Sequence, residues 1–277
     1  MTCATGQLCG KGSRSGVFSF FRARFGEMVA ALCAERRCRA CAAVFRPDAA
    51  EDIFFCPDCA AQLVRRERGF CPLCGKLYVW PHIPVAACAD CLKKKPPWER
   101  LLFHGEHKGL LRRLLLDLKF RGQTHLGSAL GTLLSTHPDL RDLPADILAP
   151  VPLHRDRLLH RGYNQALELA RPMSTMSGLS LQPELLRRTR ATLPQTRSGR
   201  SERTANVSGA FECARSLRGR HILLMDDTLT TGATAHAAAT ALLDAGAAGV
   251  CVVVVSRVRN LSGLPDQRIS KLSALNA

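Results

Sequence analysis

Four Cys-x2-Cys pairs occupy the first third of the chain and restrict what that region can fold into. Consecutive pairs are separated by 14, 11 and 13 residues. Each pair can form a knuckle that offers two thiolates to one tetrahedral metal ion, and two knuckles complete the coordination of that ion. Such even repetition favours metal binding over disulfides or redox motifs. The predicted ligands are Cys38, Cys41, Cys56, Cys59, Cys71, Cys74, Cys88 and Cys91.

Eight thiolate ligands predict two structural zinc ions, each with four sulfur ligands and no open position for catalysis. We favour sequential pairing, in which the first two knuckles bind one ion and the last two bind the other. That arrangement gives two zinc ribbons of roughly 20 residues each, a size at which a chain rarely folds without a staple. A cross-braced pairing is also compatible with the spacing. Because free thiols persist in a reducing compartment, the sequence predicts a cytoplasmic protein.

The distribution of cysteine, proline and hydrophobic residues predicts four regions along the 277 residues. Residues 1–34 are expected to form a flexible N-terminal extension, with Met28 as an alternative start. Residues 35–97 hold the double zinc ribbon and end in consecutive prolines, which interrupt regular structure. Residues 98–260 form the main domain, and residues 261–277 form a polar tail.

The chain is strongly basic, with a formal net charge of +16. This charge favours polyanionic partners such as nucleic acids, anionic membranes or phosphorylated substrates, and composition alone does not choose among them. A generally basic protein without such a partner is the simpler alternative. No apolar stretch approaches the ~20 residues of a membrane-spanning helix, so we expect no membrane span.

Hydrophobic periodicity in the main domain predicts alternating strands and helices. Leucines recur at helical spacing from Leu110 to Leu118. Further on, apolar runs at residues 221–225 and 250–255 predict buried strands on either side of an alanine-rich helix at residues 233–245. A strand–helix–strand unit of this kind implies a parallel sheet that is covered on both faces. We therefore predict an α/β fold.

Residues 222–234 carry the clearest chemical pattern in the chain. A hydrophobic strand runs into Asp226 and Asp227 and then into a Thr/Gly turn at the start of a helix. Ligands bind at the carboxyl ends of strands in open α/β sheets, where two carboxylates suit ribose hydroxyls and Mg²⁺ carried by a substrate. Gly232 permits a tight turn, and free N–H groups at a helix start attract phosphate. An ordinary N-cap is the simpler alternative, but a cap needs just one such residue.

This arrangement resembles the motif with which type I phosphoribosyltransferases bind 5-phosphoribosyl 1-pyrophosphate (PRPP). The resemblance implies that the two acids hold the ribose 2′ and 3′ hydroxyls and that the turn grips the 5-phosphate. It also implies a type I phosphoribosyltransferase-like parallel sheet flanked by helices, and Mg²⁺ bound together with PRPP. The residues that it assigns to PRPP binding in this segment are Thr228, Thr230, Thr231, Gly232, Ala233 and Thr234.

Three segments behind the cysteine pairs extend the resemblance. They are PVP…RGxNQ at residues 150–165, Q…R…NV…AF at residues 195–211, and DD…TTGAT at residues 226–234. In this order they are similar to the ComF family, which includes ComFC- and GntX-like proteins. Its members pair a zinc-ribbon module with a phosphoribosyltransferase-type domain and are linked to DNA uptake in competence. The similarity covers about residues 35–258.

The same resemblance assigns further roles by position. It places the pyrophosphate at residues 150–165, where Arg161 would assist its departure. Asn164 and Gln165 lie in the same segment and are expected to contact the ligand. On a flexible hood, the expected contacts are Arg203 and Asn206. The implied catalytic residues are Asp226, Asp227 and Arg161.

Two functions are compatible with these features. The first is an enzyme that transfers the phosphoribosyl group of PRPP to an unidentified acceptor, in DNA uptake or in nucleotide metabolism. The second is a non-catalytic module that keeps the ribose-phosphate pocket but senses a nucleotide or grips single-stranded DNA through its phosphates. An arginine-rich segment at residues 187–209, predicted as a long mobile arm, favours the second function. Proteins of the DNA-uptake machinery are expected partners in either case.

Overall fold

The computed structural model describes residues 35–47, 54–190 and 209–259. The chain divides into two compact units, residues 1–58 and residues 59–277. The predicted N-terminal extension, the predicted C-terminal tail and most of the predicted arm lie outside the described residues.

In the first unit, a short antiparallel pair of strands frames the first cysteine knuckle. β1 (Arg36–Arg37) pairs with β2 (Val44–Phe45). The turn between them is closed by a hydrogen bond that Cys38 N donates to Ala43 O at 2.8 Å. This turn contains Cys41, so the local backbone brings the first two thiols together.

The second unit is built on a five-stranded sheet in which neighbouring strands are parallel. The strands of this sheet are β3 (Arg100–Glu106), β4 (Ile147–Pro150), β5 (Ser180–Leu181), β8 (His221–Leu229) and β9 (Gly249–Arg257). A separate pair is formed by β6 (Leu186–Arg188) and β7 (Phe211–Cys213). The order across the sheet is β3–β9–β8–β4–β5. β9 is buried along its whole length and β8 along most of it, as expected for central strands with both faces covered. The predicted α/β architecture is confirmed.

The helices of the described residues are α1 (Pro57–Ala60), α2 (Ala89–Lys93), α3 (Gly109–Phe120), α4 (His125–Ser135), α5 (Arg155–Arg161), α6 (Gln165–Ser177) and α7 (Ala233–Asp244). α4, α6 and α7 contact strands of the second unit, whereas α5 buries none of its side chains and α2 carries the predicted ligand Cys91. The leucines of α3 are buried, as the helical spacing predicted. Within the described ranges, no helix combines the length and the apolar composition that crossing a bilayer takes.

β8 continues four residues beyond Met225, where the apolar run ends. Its polar end still pairs with β9, so that Asp226 lies opposite Val254 and Thr228 lies opposite Ser256. The ladder persists because the buried apolar residues before it fix the register. The two acids therefore stand in a strand, not in the turn that follows it.

The start of the predicted arm is a strand. β6 pairs antiparallel with β7, and the buried side chains of Leu186 and Phe211 anchor the two strands. The guanidinium carbon of Arg188 lies 5.2 Å from the centroid of the Phe211 ring. The prediction of a loop at Arg187 and Arg188 was wrong, because the apolar residues beside them are buried.

The two edges of the sheet are closed in different ways. β5 contributes just two residues at one edge. At the other edge, Arg66 N donates to His104 O of β3 at 2.7 Å, and Leu101 N of β3 donates to Pro72 O at 3.0 Å. The chain that precedes β3 thus lies along the outer side of that strand.

α4 and α6 pack closely because two glycines of α4 face α6. A Cβ atom at Gly131 would lie 2.3 Å from Leu169 O and 2.5 Å from Pro172 Cγ. A Cβ atom at Gly127 would lie 2.6 Å from Glu168 Cβ. Neither position can accept a methyl group unless the two helices move apart.

We expect Gly131→Ala to lower the free energy of unfolding by roughly 1 to 3 kcal/mol, because the overpacking outweighs the gain of about 1 kcal/mol in helix propensity. Urea denaturation followed by circular dichroism measures the change. Ser128→Ala, at an exposed position of the same helix, is the control and should shift stability by less than about 0.5 kcal/mol. Equal stability of Gly131→Ala and wild type would show that the helices are not tightly packed.

Candidate functional site

The eight predicted ligands form two groups of four, and in each group the sulfur atoms lie within 4.8 Å of one another. Four sulfurs bound at about 2.3 Å to one tetrahedral zinc ion stand roughly 3.8 Å apart. The Sγ–Sγ distances of Cys41 to Cys56 and of Cys74 to Cys88 are both 3.7 Å. The donor sets therefore fit two zinc ions. The two groups are Cys38, Cys41, Cys56 and Cys59, and Cys71, Cys74, Cys88 and Cys91.

This grouping is the sequential pairing that we favoured over a cross-braced one. In the second ribbon, which we define as residues 71–91, hydrogen bonds shape the first knuckle. Gly75 N donates to Cys71 O at 2.8 Å, and Cys71 N donates to Lys76 O at 3.0 Å. Gly75 has a φ of 65°, which suits glycine at the end of such a turn. Cys88 N donates to the Cys71 sulfur at 3.4 Å and so ties the two knuckles together.

A cleft of about 330 Å³ opens at the carboxyl end of β8. Asp227 is 5% exposed there, and its Oδ2 atom lies 2.8 Å from Lys119 Nζ. Gln165 Nε2 donates to the same oxygen at 3.0 Å. Arg161 Nη1 donates to Gln165 Oε1 at 2.6 Å. A carboxylate, an ammonium, an amide and a guanidinium from four elements thus form one polar network.

Most of the predicted site residues line this cleft. Those that do are Asp226, Asp227, Thr228, Thr230, Thr234, Arg161, Asn164 and Gln165. The remaining members of the turn line a different cavity of about 390 Å³, beside Cys74 and Trp98. These members are Thr231, Gly232 and Ala233. Arg203 and Asn206 lie outside the described residues.

Asn164 and Gln165 divide two tasks at the start of α6. Asn164 Oδ1 accepts a hydrogen bond from Ala166 N at 3.0 Å, and its Nδ2 donates to Val151 O at 3.0 Å. Asn164 therefore caps the helix and fixes it to the end of β4. The next side chain, Gln165, is held by that anchored helix start and reaches Asp227.

Sequence reasoning missed several residues that the structure brings to the cleft. Lys119 stands in the last turn of α3, more than 100 positions before Asp227, and pairs with it. His107 Nδ1 lies 2.8 Å from Ser256 Oγ, which donates to Thr228 Oγ1 at 3.3 Å. The stretch of residues 118–122 was the available signal for Lys119, because it breaks the leucine pattern with charge at a helix end. Other cations lining the cleft are Arg157 and Arg188.

The cleft shifts the acid–base behaviour of its groups. Burial, and then repulsion from Asp227, raises the pKa of Asp226 from its ordinary value of 3.8 to about 7. The positive charges of Lys119 and Arg188 oppose this rise without cancelling it. Burial, assisted by Lys119, lowers the pKa of His107 below its usual value of 6.5. At neutral pH the cleft therefore offers a neutral imidazole and one acid close to its titration point.

The fold and the site define a class of protein. It has a parallel α/β domain in which two adjacent acids on a strand precede a Thr/Gly turn, and it also carries two four-cysteine groups that fit zinc ribbons. No family model matches the chain. It is 34% identical to DNA utilization protein YhgH of Escherichia coli over 208 residues, which are 73% of this chain and 89% of that protein. It is 29% identical to Competence protein F of Haemophilus influenzae, covering 65% of this chain and 87% of that protein. Competence protein ComFC of Bacillus subtilis is also 29% identical, over 70% of this chain and 79% of that protein. The chain belongs to the ComF family.

We expect the purified protein to bind about two zinc ions per chain and Cys88→Ser to bind about one, because three thiolates hold zinc far more weakly than four. Inductively coupled plasma mass spectrometry of dialysed protein gives the stoichiometry. Cys213→Ser, outside both groups, is the control and should retain both ions. Full zinc content in Cys88→Ser would contradict the assignment of this cysteine as a ligand.

The raised pKa of Asp226 predicts a pH-dependent stability. Because the folded state binds this proton more tightly than the unfolded chain, the side chain increasingly destabilises the fold as pH rises from its ordinary pKa of 3.8 to about 7, and the effect levels off above that pH. Asp226→Asn cannot ionise, so it should be more stable than wild type by roughly 1 to 3 kcal/mol at about pH 8, and by less at about pH 5.5. Urea denaturation across this range measures the difference. Asp244→Asn, at an exposed position, should show no such trend. A gap that is constant with pH would contradict the prediction.

Proposed function

We propose that the cleft binds PRPP, or a nucleotide-like ligand with a ribose 5-phosphate, together with Mg²⁺. The observation that carries the proposal is the arrangement of the two acids. They lie within the last four residues of β8, and the Thr/Gly turn that follows this strand starts α7, in a cleft that also holds three arginines. Carboxylates, a helix start and guanidinium groups are the partners that ribose hydroxyls, a 5-phosphate and a pyrophosphate require, respectively.

The residues of the cleft suit distinct parts of such a ligand. The carboxylates of Asp226 and Asp227 would accept hydrogen bonds from the ribose hydroxyls. The hydroxyls of Thr230 and Thr234, with backbone N–H groups of the turn, would hold the 5-phosphate. Arg161 would bind the pyrophosphate, since a guanidinium donates to two oxygens at once. Mg²⁺ fits the oxygen donors of this site and would neutralise the charge of the pyrophosphate.

We propose phosphoribosyl transfer as the reaction. The bond between ribose C1 and the pyrophosphate oxygen breaks, pyrophosphate leaves with the electron pair, and C1 bonds to the acceptor. The arginine network stabilises the leaving group. The neutral imidazole of His107, positioned by Ser256, faces the cleft and is suited to accept the proton that the acceptor loses.

The names of the relatives support a biological setting. They are called DNA utilization protein YhgH, Competence protein F and Competence protein ComFC. We propose that this chain likewise acts in DNA uptake, with proteins of the uptake machinery as partners. The eight thiolates of the zinc groups favour the reducing cytoplasm as its compartment.

A non-catalytic role in nucleotide sensing or single-stranded DNA binding is the second candidate. The DNA-related names of the relatives and the net charge of +16 favour it. Pyrophosphate release from PRPP, measured with a panel of bases and amines, separates the two candidates. Release with one acceptor establishes a transferase. No release with any acceptor, together with salt-sensitive binding of single-stranded DNA, establishes the binding module.

We expect the double variant Asp226→Asn/Asp227→Asn to lose PRPP affinity by about 100-fold or more, because each charge-assisted hydrogen bond contributes about 1.5 to 3 kcal/mol. Isothermal titration calorimetry with MgCl₂ measures the dissociation constant. Asp244→Asn, at the far end of α7, is the matched control and should bind as wild type does. Undiminished PRPP affinity in the double variant would refute the assignment of the two acids.

A further inference from the structure

Arg257, the last residue of β9, connects the second ribbon with the chain entering the phosphate turn, which we define as residues 230–234. Its side chain is buried, with the whole residue 6% exposed. Arg257 Nε donates to Cys74 O at 3.0 Å. Arg257 Nη1 donates to Leu229 O at 2.9 Å and also to Thr230 O. One guanidinium therefore holds a knuckle of the second cysteine group together with the carbonyls of Leu229 and Thr230, where the chain enters the turn.

Trp98 makes a parallel connection between the same two parts. It is 7% exposed, and its Nε1 donates to Leu73 O at 2.5 Å. Its Cη2 atom lies 3.7 Å from the position that a Cβ atom on Gly232 would take. The indole thus binds the knuckle at one end and packs beside the turn at the other.

The knuckle presents consecutive carbonyls to the rest of the unit. Pro72 O accepts from Leu101 N, Leu73 O from Trp98, and Cys74 O from Arg257. The directions of these carbonyls depend on the path of the knuckle backbone. That path is fixed when the flanking thiolates share one metal ion, because a small ribbon has little other core to hold it.

Holding the carbonyls orients the N–H groups of the turn. In a trans peptide unit the C=O and the N–H point in opposite directions. Leu229 O also accepts a hydrogen bond from Val258 N at 3.0 Å, so this backbone donor and Arg257 together direct the N–H of Thr230. Arg257 also binds Thr230 O and so directs the N–H of Thr231 away from its own side. A phosphate site made of backbone N–H groups binds best when their directions are set before the ligand arrives.

We infer that Arg257 is a positioning residue through which the metal-held second ribbon orders the phosphate turn. Metal binding by the second cysteine group then does more than stabilise its own ribbon. It also affects how tightly the cleft binds phosphate. This inference rests on the proposed function for its ligand, but the order of the turn can be measured without any ligand.

The first experiment changes Arg257 and leaves both cysteine groups intact. Arg257→Lys keeps the charge, but one ammonium on an unbranched chain cannot reproduce a fork that reaches the ribbon and the turn together. We expect PRPP binding, measured by calorimetry with MgCl₂, to weaken by about 10-fold, within the usual range of coupling between linked sites. The variant should retain both zinc ions.

Arg259→Lys is the matched control. Arg259 lies two positions further along the chain and binds Glu106 through Nε at 2.6 Å and Nη2 at 3.0 Å. Its Nη1 also donates to Tyr78 O of the second ribbon, at 3.5 Å. Within the described residues, its hydrogen bonds go to Glu106 and to Tyr78 of the same ribbon and not to the carbonyls of Leu229 and Thr230. We expect its replacement to change PRPP affinity by less than about 2-fold.

The second experiment removes the metal site at a distance from Arg257. The double variant Cys88→Ser/Cys91→Ser leaves the Cys74 carbonyl in place but takes two ligands from the ion. Hydrogen–deuterium exchange of residues 230–234, without ligand, should become about 10-fold faster in this variant and in Arg257→Lys. The amides of β9 serve as the internal reference and should stay protected in both variants.

Two results together would support the inference. Exchange should be faster in the turn while the amides of β9 stay protected, and PRPP binding should be weaker in Arg257→Lys but not in Arg259→Lys. Unchanged exchange and unchanged affinity in Arg257→Lys would overturn it. If wild type binds no PRPP, the proposed function fails, and the exchange data alone decide the coupling. If Arg257→Lys does not fold, Trp98→Phe, which removes the bond to Leu73 O, replaces it under the same criteria.

Discussion

The parallel pairing of β8 with β9 is the contact on which the rest of the second unit depends. Both strands are buried along their apolar stretches, so their register cannot slip by one residue without turning side chains to the wrong face. The fixed register places Thr228 opposite Ser256 and Leu229 opposite Arg257. One strand therefore delivers the acids to the cleft, while its neighbour delivers an arginine behind the turn. The same ladder of backbone hydrogen bonds therefore positions both the acids of the cleft and the arginine that binds the backbone at the start of the turn.

The two adjacent acids near the end of β8 repel each other, and the surrounding residues compensate their negative charges unequally. Asp227 is neutralised by Lys119 and by the amide of Gln165. For Asp226, burial and then repulsion from Asp227 raise the pKa, and the positive charges of Lys119 and Arg188 compensate this rise just in part. Under the proposed function, a ligand that brings Mg²⁺ would add positive charge next to this acid.

Local patterns in the sequence were sufficient for the features that local chemistry determines. The cysteine spacing predicted the eight ligands but was compatible with both a sequential and a cross-braced pairing, and the structure has the sequential one that we favoured. The strand–turn–helix pattern predicted that the acids lie at the carboxyl end of a strand. The contacts of Lys119 and Arg257 were not predictable, because their partners lie more than 25 positions away and depend on sheet order and helix packing. For the same reason, the pattern did not show that Gly232 faces a different cavity from Thr234. The roles expected for Arg203 and Asn206 stay predictions, since both lie outside the described residues.

The cysteine-rich part of the chain also protects the edge strand β3 against aggregation. An uncovered edge strand is a template on which a second chain can add a strand and begin aggregation. β5 presents just two residues at its edge, whereas β3 has seven, and the chain around Arg66 and Pro72 lies along them. Loss of metal would loosen this cover and expose an apolar strand. We therefore expect protein whose cysteine groups hold no metal to associate with itself through this strand.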